Sequence, residues 1–166
     1  MTRSQAFKSF LKHFSKEKLP VTLSDESIRY FDKKNQALSQ DVIRQFIKQG
    51  DNEVDDELTE YVACCKIPDT KSFHAVVYWK AKMLSYDFVL ATYNKNGVII
   101  DRKVIAGVRS DGKDVHQSVA TIDEEWIVTI VAGSQFGEEE NYNPIKSQHT
   151  SLELMANGEI IFSLQN

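Results

Sequence analysis

Residues 61–67, YVACCKI, hold the two cysteines of this chain side by side, at Cys64 and Cys65. Adjacent thiols could ligate a metal ion or take part in a redox reaction. However, the surrounding residues alternate as in a β-strand, where neighbouring side chains point to opposite faces of the sheet. Zinc commonly takes four ligands, and no second cysteine pair exists to complete such a site. We therefore expect both cysteines to be reduced and structural, and we expect no metal and no cofactor.

A second group of reactive side chains lies in RSDGKDVHQ, residues 109–117. Asp111, Asp114 and His116 could bind a cation or a polar partner, or exchange protons with a substrate. A polar hairpin tip built around Asp-Gly requires the same residue types without any function. We retain the three residues as candidate ligand-binding or partner-binding residues and assign no catalytic residue.

A third candidate is FGEEENYNPIK, residues 136–146, which is the longest segment without a helical or strand period. Its side chains of interest are Glu138, Glu139, Glu140 and Tyr142. Loops held on a rigid sheet often bind partners, although a solvated loop has the same composition. We expect these four residues to contribute to a partner-binding surface.

Sequence signatures of familiar enzymes are missing. GSQFG, residues 133–137, is not the G-x-S-x-G motif, because Ser134 comes one place early. The sequence has no P-loop and no G-x-G-x-x-G motif. The acidic run DNEVDDELTE lacks the glycine at loop position six of an EF-hand. These observations favour a protein that is not an enzyme.

The N-terminal part of the sequence has the period of amphipathic helices. In AFKSFLKHF one helical face holds Phe7, Phe10, Leu11 and Phe14. We place the N-cap of this helix at Ser4 and the start of a short second helix at Ser24. A third helix, in SQDVIRQFIKQG, begins after Ser39 and ends before Gly50.

After Thr59 the apolar period changes to two residues, which is typical of strands. Asn96–Gly97 and Asn157–Gly158 lie between apolar runs and favour tight hairpins, because both residues of Asn-Gly accept positive φ. IDEEW and IPDTKSF are two further turns. The predicted strands lie near residues 61–67, 73–83, 86–93, 98–106, 117–123, 126–133, 149–156 and 159–164.

These elements predict a single α+β domain over residues 1–166. Residues 1–60 form the mainly helical part, and residues 61–166 form the antiparallel β part. We expect the N-terminal helices to pack on a bent antiparallel sheet of about eight strands, arranged as a meander of hairpins. Residues 126–132 are apolar on both faces, which predicts a central strand covered on both sides.

The charge distribution limits the choice of partner. Residues 1–48 carry +5, residues 49–60 carry −6 and residues 61–166 carry −3, giving the net charge of −4. The bases are not interleaved with aromatic residues, so nucleic acid is not the expected partner. No stretch reaches the roughly 18 consecutive apolar residues of a membrane span. We expect a cytoplasmic protein without a signal peptide, as a monomer or a homodimer.

One resemblance covers most of the chain. FKSFLKHFSKEKLP, SQDVIRQFI and the hairpin around YNKNGVII together resemble uncharacterised small bacterial proteins in which helices precede a β-meander. The shared features are packing and turn residues, so the resemblance implies a fold and no activity.

Three functions are compatible with the sequence. The leading prediction is a non-catalytic domain that binds another protein, including an inhibitor or immunity-type protein that shields a basic partner. The second is a small-ligand-binding protein or enzyme whose pocket lies on the concave face of the sheet. Tyr78, Trp79, Tyr93 and Trp126 would line that pocket. The third is a structural subunit of a homo-oligomer, in which a sheet edge is covered by a second copy.

Overall fold

The computed structural model describes residues 2–136 and 148–163 and confirms the mixed α+β class with a large antiparallel sheet. The helices are α1 (Arg3–Leu11), α2 (Ser27–Lys34) and α3 (Gln40–Val42), which continues into a wider π-helical turn at Ile43–Ile47. The strands are β1 (Ser15–Lys16), β2 (Val21–Leu23), β3 (Glu60–Lys66), β4 (His74–Lys82), β5 (Ser85–Tyr93), β6 (Ile99–Ser110), β7 (Asp114–Ile122), β8 (Ile127–Phe136), β9 (Gln148–Leu154) and β10 (Ile160–Phe162).

The described sheet has ten strands rather than about eight, in the order β1-β3-β4-β5-β6-β7-β8-β9-β10, with β2 paired to β7. The additional strands, β1 and β2, lie between α1 and α2, where the sequence predicted only the end of a helix and a loop. They contain two and three residues, so no alternating pattern could reveal them. β1 pairs with β3 in parallel, while the remaining strand pairs are antiparallel.

The local signals at the helix ends are partly as predicted. Ser39 caps α3 by accepting a hydrogen bond from the backbone N–H of Val42, and Gly50 has a φ of +73° beyond the end of that helix. The N-cap of α1 is Thr2 rather than Ser4. The Thr2 hydroxyl accepts from the Gln5 backbone N–H, and the Gln5 side chain accepts from the Thr2 backbone N–H. This capping box satisfies two backbone donors that Ser4 could not reach from inside the first turn.

The sheet folds over on itself along β6. This strand pairs with β5 over most of its length, but with β7 only through Gly107–Ser110. β7 then departs from β6, and its residues Ala120–Ile122 pair with β2 instead. The first apolar core lies between the two halves of the folded sheet. Its members include Phe73, Val77, Phe88, Leu90, Ile105, Ile122, Val128, Leu152, Leu154 and Ile160.

A second apolar core lies between α1 and the Ile43–Ile47 turn on one side and the outer face of β3, β4 and β5 on the other, whereas Phe31 of α2 belongs to the first core. Phe7 and Phe10 of α1 contact Phe46 and Tyr93 with ring centroids 4.9–5.7 Å apart. The prediction that β8 is covered on both faces is wrong, because Thr129 is exposed while Val128 is buried. The helices cover the first half of the folded sheet, and β8 lies in the second half. None of the helices in the described ranges is long and apolar enough to cross a membrane.

The two cysteines face the same core, which corrects the prediction that they face opposite ways. A β-bulge between Ala63 and Cys65 makes Cys64 the extra residue of β3, and both thiols are buried in the first core. The Asn35 side-chain amide donates to the carbonyl oxygens of Ala63 and Cys64, at 2.7 Å each. At the bulge, hydrogen bonds from the Asn35 side chain at the end of α2 therefore take the place of regular hydrogen bonds between the strands.

Candidate functional site

Three hairpin turns of this protein share one backbone geometry. In each turn, the backbone carbonyl of the first residue accepts a hydrogen bond from the N–H of the residue three positions later. The backbone N–H of the same first residue donates to the carbonyl of the residue four positions later. The pairs are Asn94 with Gly97 and Val98, Asp123 with Trp126 and Ile127, and Met155 with Gly158 and Glu159. The fourth residue of each turn has positive φ, at +81° for Gly97, +64° for Trp126 and +92° for Gly158. The Asn-Gly links are therefore turns with one left-handed residue, rather than turns with two as predicted.

Trp126 is unusual at this position, because the left-handed conformation costs a residue with a Cβ about 1–2 kcal/mol. At Gly97 a side chain would meet the packed Phe7 ring, and at Gly158 it would have to displace the end of the Ile100 side chain. A Cβ there would lie 2.9 Å from the ring of Phe7 and 2.8 Å from Cδ1 of Ile100, respectively. At Trp126 the side chain has space. Its ring packs edge-on against Phe73, with centroids 5.9 Å apart, and remains partly exposed.

The partly exposed side of Trp126 lines a surface cavity of about 390 Å³, which we call the Trp126 pocket. Three segments distant in sequence form its walls: the β1–β2 connection, the β3–β4 turn and the β7–β8 turn. Their lining residues are Glu17, Lys18, Leu19, Pro68, Asp69, Glu124 and Trp126. The volume lies within the usual range of ligand pockets, about 300–1,000 Å³.

The charges around the Trp126 pocket are predominantly negative, with three carboxylates and one ammonium group among its lining residues. Glu17 is already engaged, because Ser15, Tyr30 and Lys34 donate hydrogen bonds to its Oε1. Partial burial opposes ionisation of Glu17, but these hydrogen bonds outweigh it and lower its pKa. Asp69 and Glu124 form no hydrogen bond or ion pair through their side chains with any residue of the described ranges.

The predicted group at residues 109–117 lies at the other end of β6 and β7. Asp111 shapes the turn between them, since its Oδ1 accepts from the backbone N–H groups of Lys113 and Asp114. These bonds lower the pKa of Asp111. Asp114 begins β7, and His116 lies opposite Arg109 of β6. The structure thus places all three residues around one hairpin.

His116 also lines a small cleft of about 150 Å³ where β6 and β7 separate. Other polar groups of this cleft are Asp87, Arg109 and Ser118, and an Arg109 nitrogen lies 3.7 Å from Asp87 Oδ1. Asp111 and Asp114 do not line it. This cleft therefore includes His116 but neither of the two carboxylates with which the sequence grouped it. Glu138, Glu139, Glu140 and Tyr142 lie outside the described residues.

The first half of the acidic run, residues 51–55, is tied to the protein by ion pairs, whereas Glu57 and Glu60 are exposed. Lys80, whose side chain is only 7% exposed, lies 3.2 Å from Glu53, 3.6 Å from Asp51 and 3.9 Å from Asp55. Lys48 lies 2.9 Å from Asp55, and Lys82 also pairs with Glu53. This network fixes the segment between α3 and β3 to the surface of β4.

The aromatic residues that were predicted to line a pocket on the concave face lie in different places. Tyr78 and Tyr93 are buried in the second core, beneath the helices, and Tyr93 donates to the Phe46 carbonyl oxygen. Trp79 is partly buried against the first core. Trp126 lines a cavity, but this cavity opens at the hairpin turns rather than inside the fold.

Neither a metal centre nor an activated thiol is formed by the described residues. No three His, Cys, Asp or Glu side chains within residues 2–136 and 148–163 come together as metal ligands. Burial raises the pKa of Cys64, and burial raises the pKa of Cys65 to about 12, so both thiols are protonated at neutral pH. No protein-family model, curated protein or solved structure matches this chain.

Sequence reasoning did not assemble the Trp126 pocket, since its walls are about 50 residues apart along the chain. One signal was nevertheless present. IDEEW occupies a hairpin turn of the same kind as YNKNG, with tryptophan at the place of the glycine. A large side chain where a hairpin favours glycine indicates that the side chain itself has a use.

Proposed function

We propose that this protein is a non-catalytic binding module that engages another protein through the Trp126 pocket. The observation that carries the proposal is the presence of a partly exposed tryptophan at a left-handed turn position. Tryptophan is among the residues that contribute most to binding at protein interfaces. The ring packs against Phe73 on one side, and its accessible part beside a cavity is free to contact a partner.

The state of the other reactive groups is consistent with a non-catalytic role. The two thiols are buried and protonated, so neither is a ready nucleophile. The Asp111 carboxylate is used by the backbone of its own turn. An inhibitor or immunity-type protein, which acts by covering a partner, would need a recognition surface of this kind and no catalytic group.

Site-specific photo-crosslinking tests the location of binding even while the partner is unidentified. A photoreactive benzoylphenylalanine replaces Glu125, which is exposed at the β7–β8 turn but does not line the pocket. Irradiation in lysate from the source cells should give one discrete adduct, which is identified by mass spectrometry. Two control variants carry benzoylphenylalanine at other positions. Replacement of Glu57 controls for labelling at an exposed acidic surface, and replacement of Met83 controls for labelling at an exposed apolar surface.

The adduct should form at position 125 and be weak or missing at positions 57 and 83. Equal labelling at all three positions would contradict the proposal, because it indicates nonspecific contact. A single adduct at position 83 would place binding at the opposite hairpin tip. An adduct of twice the 19.0 kDa chain mass would support the structural subunit of a homo-oligomer instead.

A further inference from the structure

We infer that the Trp126 pocket receives a Lys or Arg side chain of the partner protein. The inference rests on the proposed function and adds the chemistry of the group that is bound. Its basis is the combination at one cavity of an aromatic wall, two short aliphatic walls and two carboxylates, Asp69 and Glu124, that have no side-chain partner among residues 2–136 and 148–163.

The apolar part of the pocket suits the stem of a long basic side chain. Leu19, Pro68 and the partly exposed Trp126 supply carbon surface from three different segments. Lys and Arg bury their methylene groups against such surface while keeping the charged head near water. A cation placed over the face of a tryptophan ring is attracted by about 0.5–2 kcal/mol, depending on its desolvation.

The polar part of the pocket suits the charged head. Asp69 and Glu124 belong to two different turns and have no ion-pair partner among the described residues, whereas Glu17 is already bonded to Lys34. Unpaired carboxylates on two sides of a cavity favour a cation within it. Lys18 is exposed at the same cavity and reduces this preference without reversing it, because Asp69 and Glu124 still outnumber it.

An anionic or purely apolar occupant fits the pocket less well. An acidic side chain would lie between carboxylates, and an apolar one would leave the Asp69 and Glu124 carboxylates without a partner while restricting their access to water. The net charge of −4 also favours approach of a basic protein.

Fluorescence of Trp126 provides a direct readout, because the chain has two tryptophans and Trp79→Phe leaves Trp126 alone. The Trp79 indole N–H has no hydrogen-bond partner in the described part of the chain, so this replacement removes no bond. The probes are acetylated and amidated tripeptides, Gly-X-Gly, in which X is lysine, arginine or the uncharged norleucine. Titration with the lysine or arginine peptide should change the Trp126 emission saturably. The norleucine peptide should bind with an affinity at least about fivefold lower.

Charge-removing variants test the assignment of the carboxylates. Asp69→Asn with Glu124→Gln should weaken lysine or arginine binding by about fivefold or more. Asparagine is chosen because it tolerates the φ of +66° at this position. Glu57→Gln with Glu60→Gln makes the same change in net charge at exposed positions outside the pocket and should leave binding unchanged.

The outcomes separate this inference from the proposed function. Equal binding of norleucine and lysine probes, or no binding of any probe, would overturn the inference. Tighter binding of free spermidine than of both basic tripeptides would overturn it in favour of a small polyamine. In each case an adduct at position 125 would still support partner binding, because the crosslinking uses no cationic probe.

Discussion

Trp126 holds, in the β7–β8 turn, the same left-handed backbone position that Gly97 holds in the β5–β6 turn. The two turns have matching hydrogen bonds, and Asn94 and Asp123 use their side chains alike, each accepting from two backbone N–H groups. The difference is what surrounds the fourth residue. Gly97 faces the Phe7 ring, whereas Trp126 faces a cavity.

Substitutions at Trp126 should separate the backbone cost from the packing gain. Trp126→Ala removes a half-buried ring and should lower the free energy of unfolding by about 2 kcal/mol, less than the roughly 3–5 kcal/mol of a fully buried aromatic residue. Trp126→Gly should be more stable than Trp126→Ala by about 1 kcal/mol, because glycine adopts positive φ without strain. Urea unfolding followed by circular dichroism measures both values. An alanine variant as stable as the glycine variant would show that the turn conformation carries no cost.

The bulge at Cys64 should depend on Asn35. Asn35→Ala leaves the buried Ala63 carbonyl without its 2.7 Å donor, and the Cys64 carbonyl with only the Ser15 hydroxyl at 3.1 Å. It should destabilise the protein by about 1–3 kcal/mol. Asn35→Asp should cost more near neutral pH, since a carboxylate would face two carbonyl oxygens. Asn52→Ala, at an exposed asparagine, serves as the matched control in thermal unfolding. Wild-type stability of the aspartate variant would contradict this account of the bulge.

The ion-pair network around Lys80 should make stability dependent on pH. For Asp51 and Asp55, partial burial raises the pKa, but hydrogen bonds and the nearby lysines outweigh it and lower the pKa overall. Hydrogen bonds from Lys82 and Lys80 lower the pKa of Glu53. The unfolded chain therefore takes up protons at higher pH than the folded protein. The stabilisation from these ion pairs is complete at pH values above the ordinary carboxyl pKa values of 3.8 for aspartate and 4.5 for glutamate. It is lost as the pH falls through the lowered pKa values of the folded protein.

Lys80→Met should therefore cost about 1–2 kcal/mol at pH 7, and the difference from wild type should shrink between pH 5 and about pH 3. Lys95→Met, at an exposed lysine, provides the control. Urea unfolding over this pH range measures the difference. A deficit that stays constant down to pH 3 would show that Lys80 acts by packing alone.

The two thiols should report unfolding. Both are buried and protonated, with the pKa of Cys65 raised to about 12 by burial, so neither should react with Ellman's reagent on mixing at pH 8. Both should react together as the protein unfolds in urea, because they belong to one core. Rapid reaction of one thiol in the native protein would contradict the buried arrangement.

Some of this architecture could be predicted from sequence, and the physical reasons are visible in particular residues. The strand predicted near residues 86–93 was found at Ser85–Tyr93, where a short and nearly continuous apolar run is buried on both faces of the sheet. β1 and β2 are too short to carry a period. The shared face of Cys64 and Cys65 depends on a bulge that Asn35 satisfies from 28 or more residues away.

The candidate site was less accessible to prediction. Acidic and polar residues in short runs, such as Asp111 and Asp114, drew attention because they are close together in sequence. The Trp126 pocket joins Glu17, Asp69 and Glu124, which only the folding of the sheet brings together. The turn chemistry around Trp126 was the one local sign, because it departs from the glycine of its two counterparts.

The measurement that tests the central claim most directly is the crosslinking yield at position 125 in the Trp126→Gly variant, relative to the chain with Trp126 intact. Glycine keeps the turn and removes the ring, and circular dichroism confirms that both proteins are folded. If Trp126 is retained for recognition, the adduct should fall at least about tenfold, as expected for the loss of an interface tryptophan. An undiminished adduct from the folded glycine variant would contradict the account, because it would show that the partner binds without the ring.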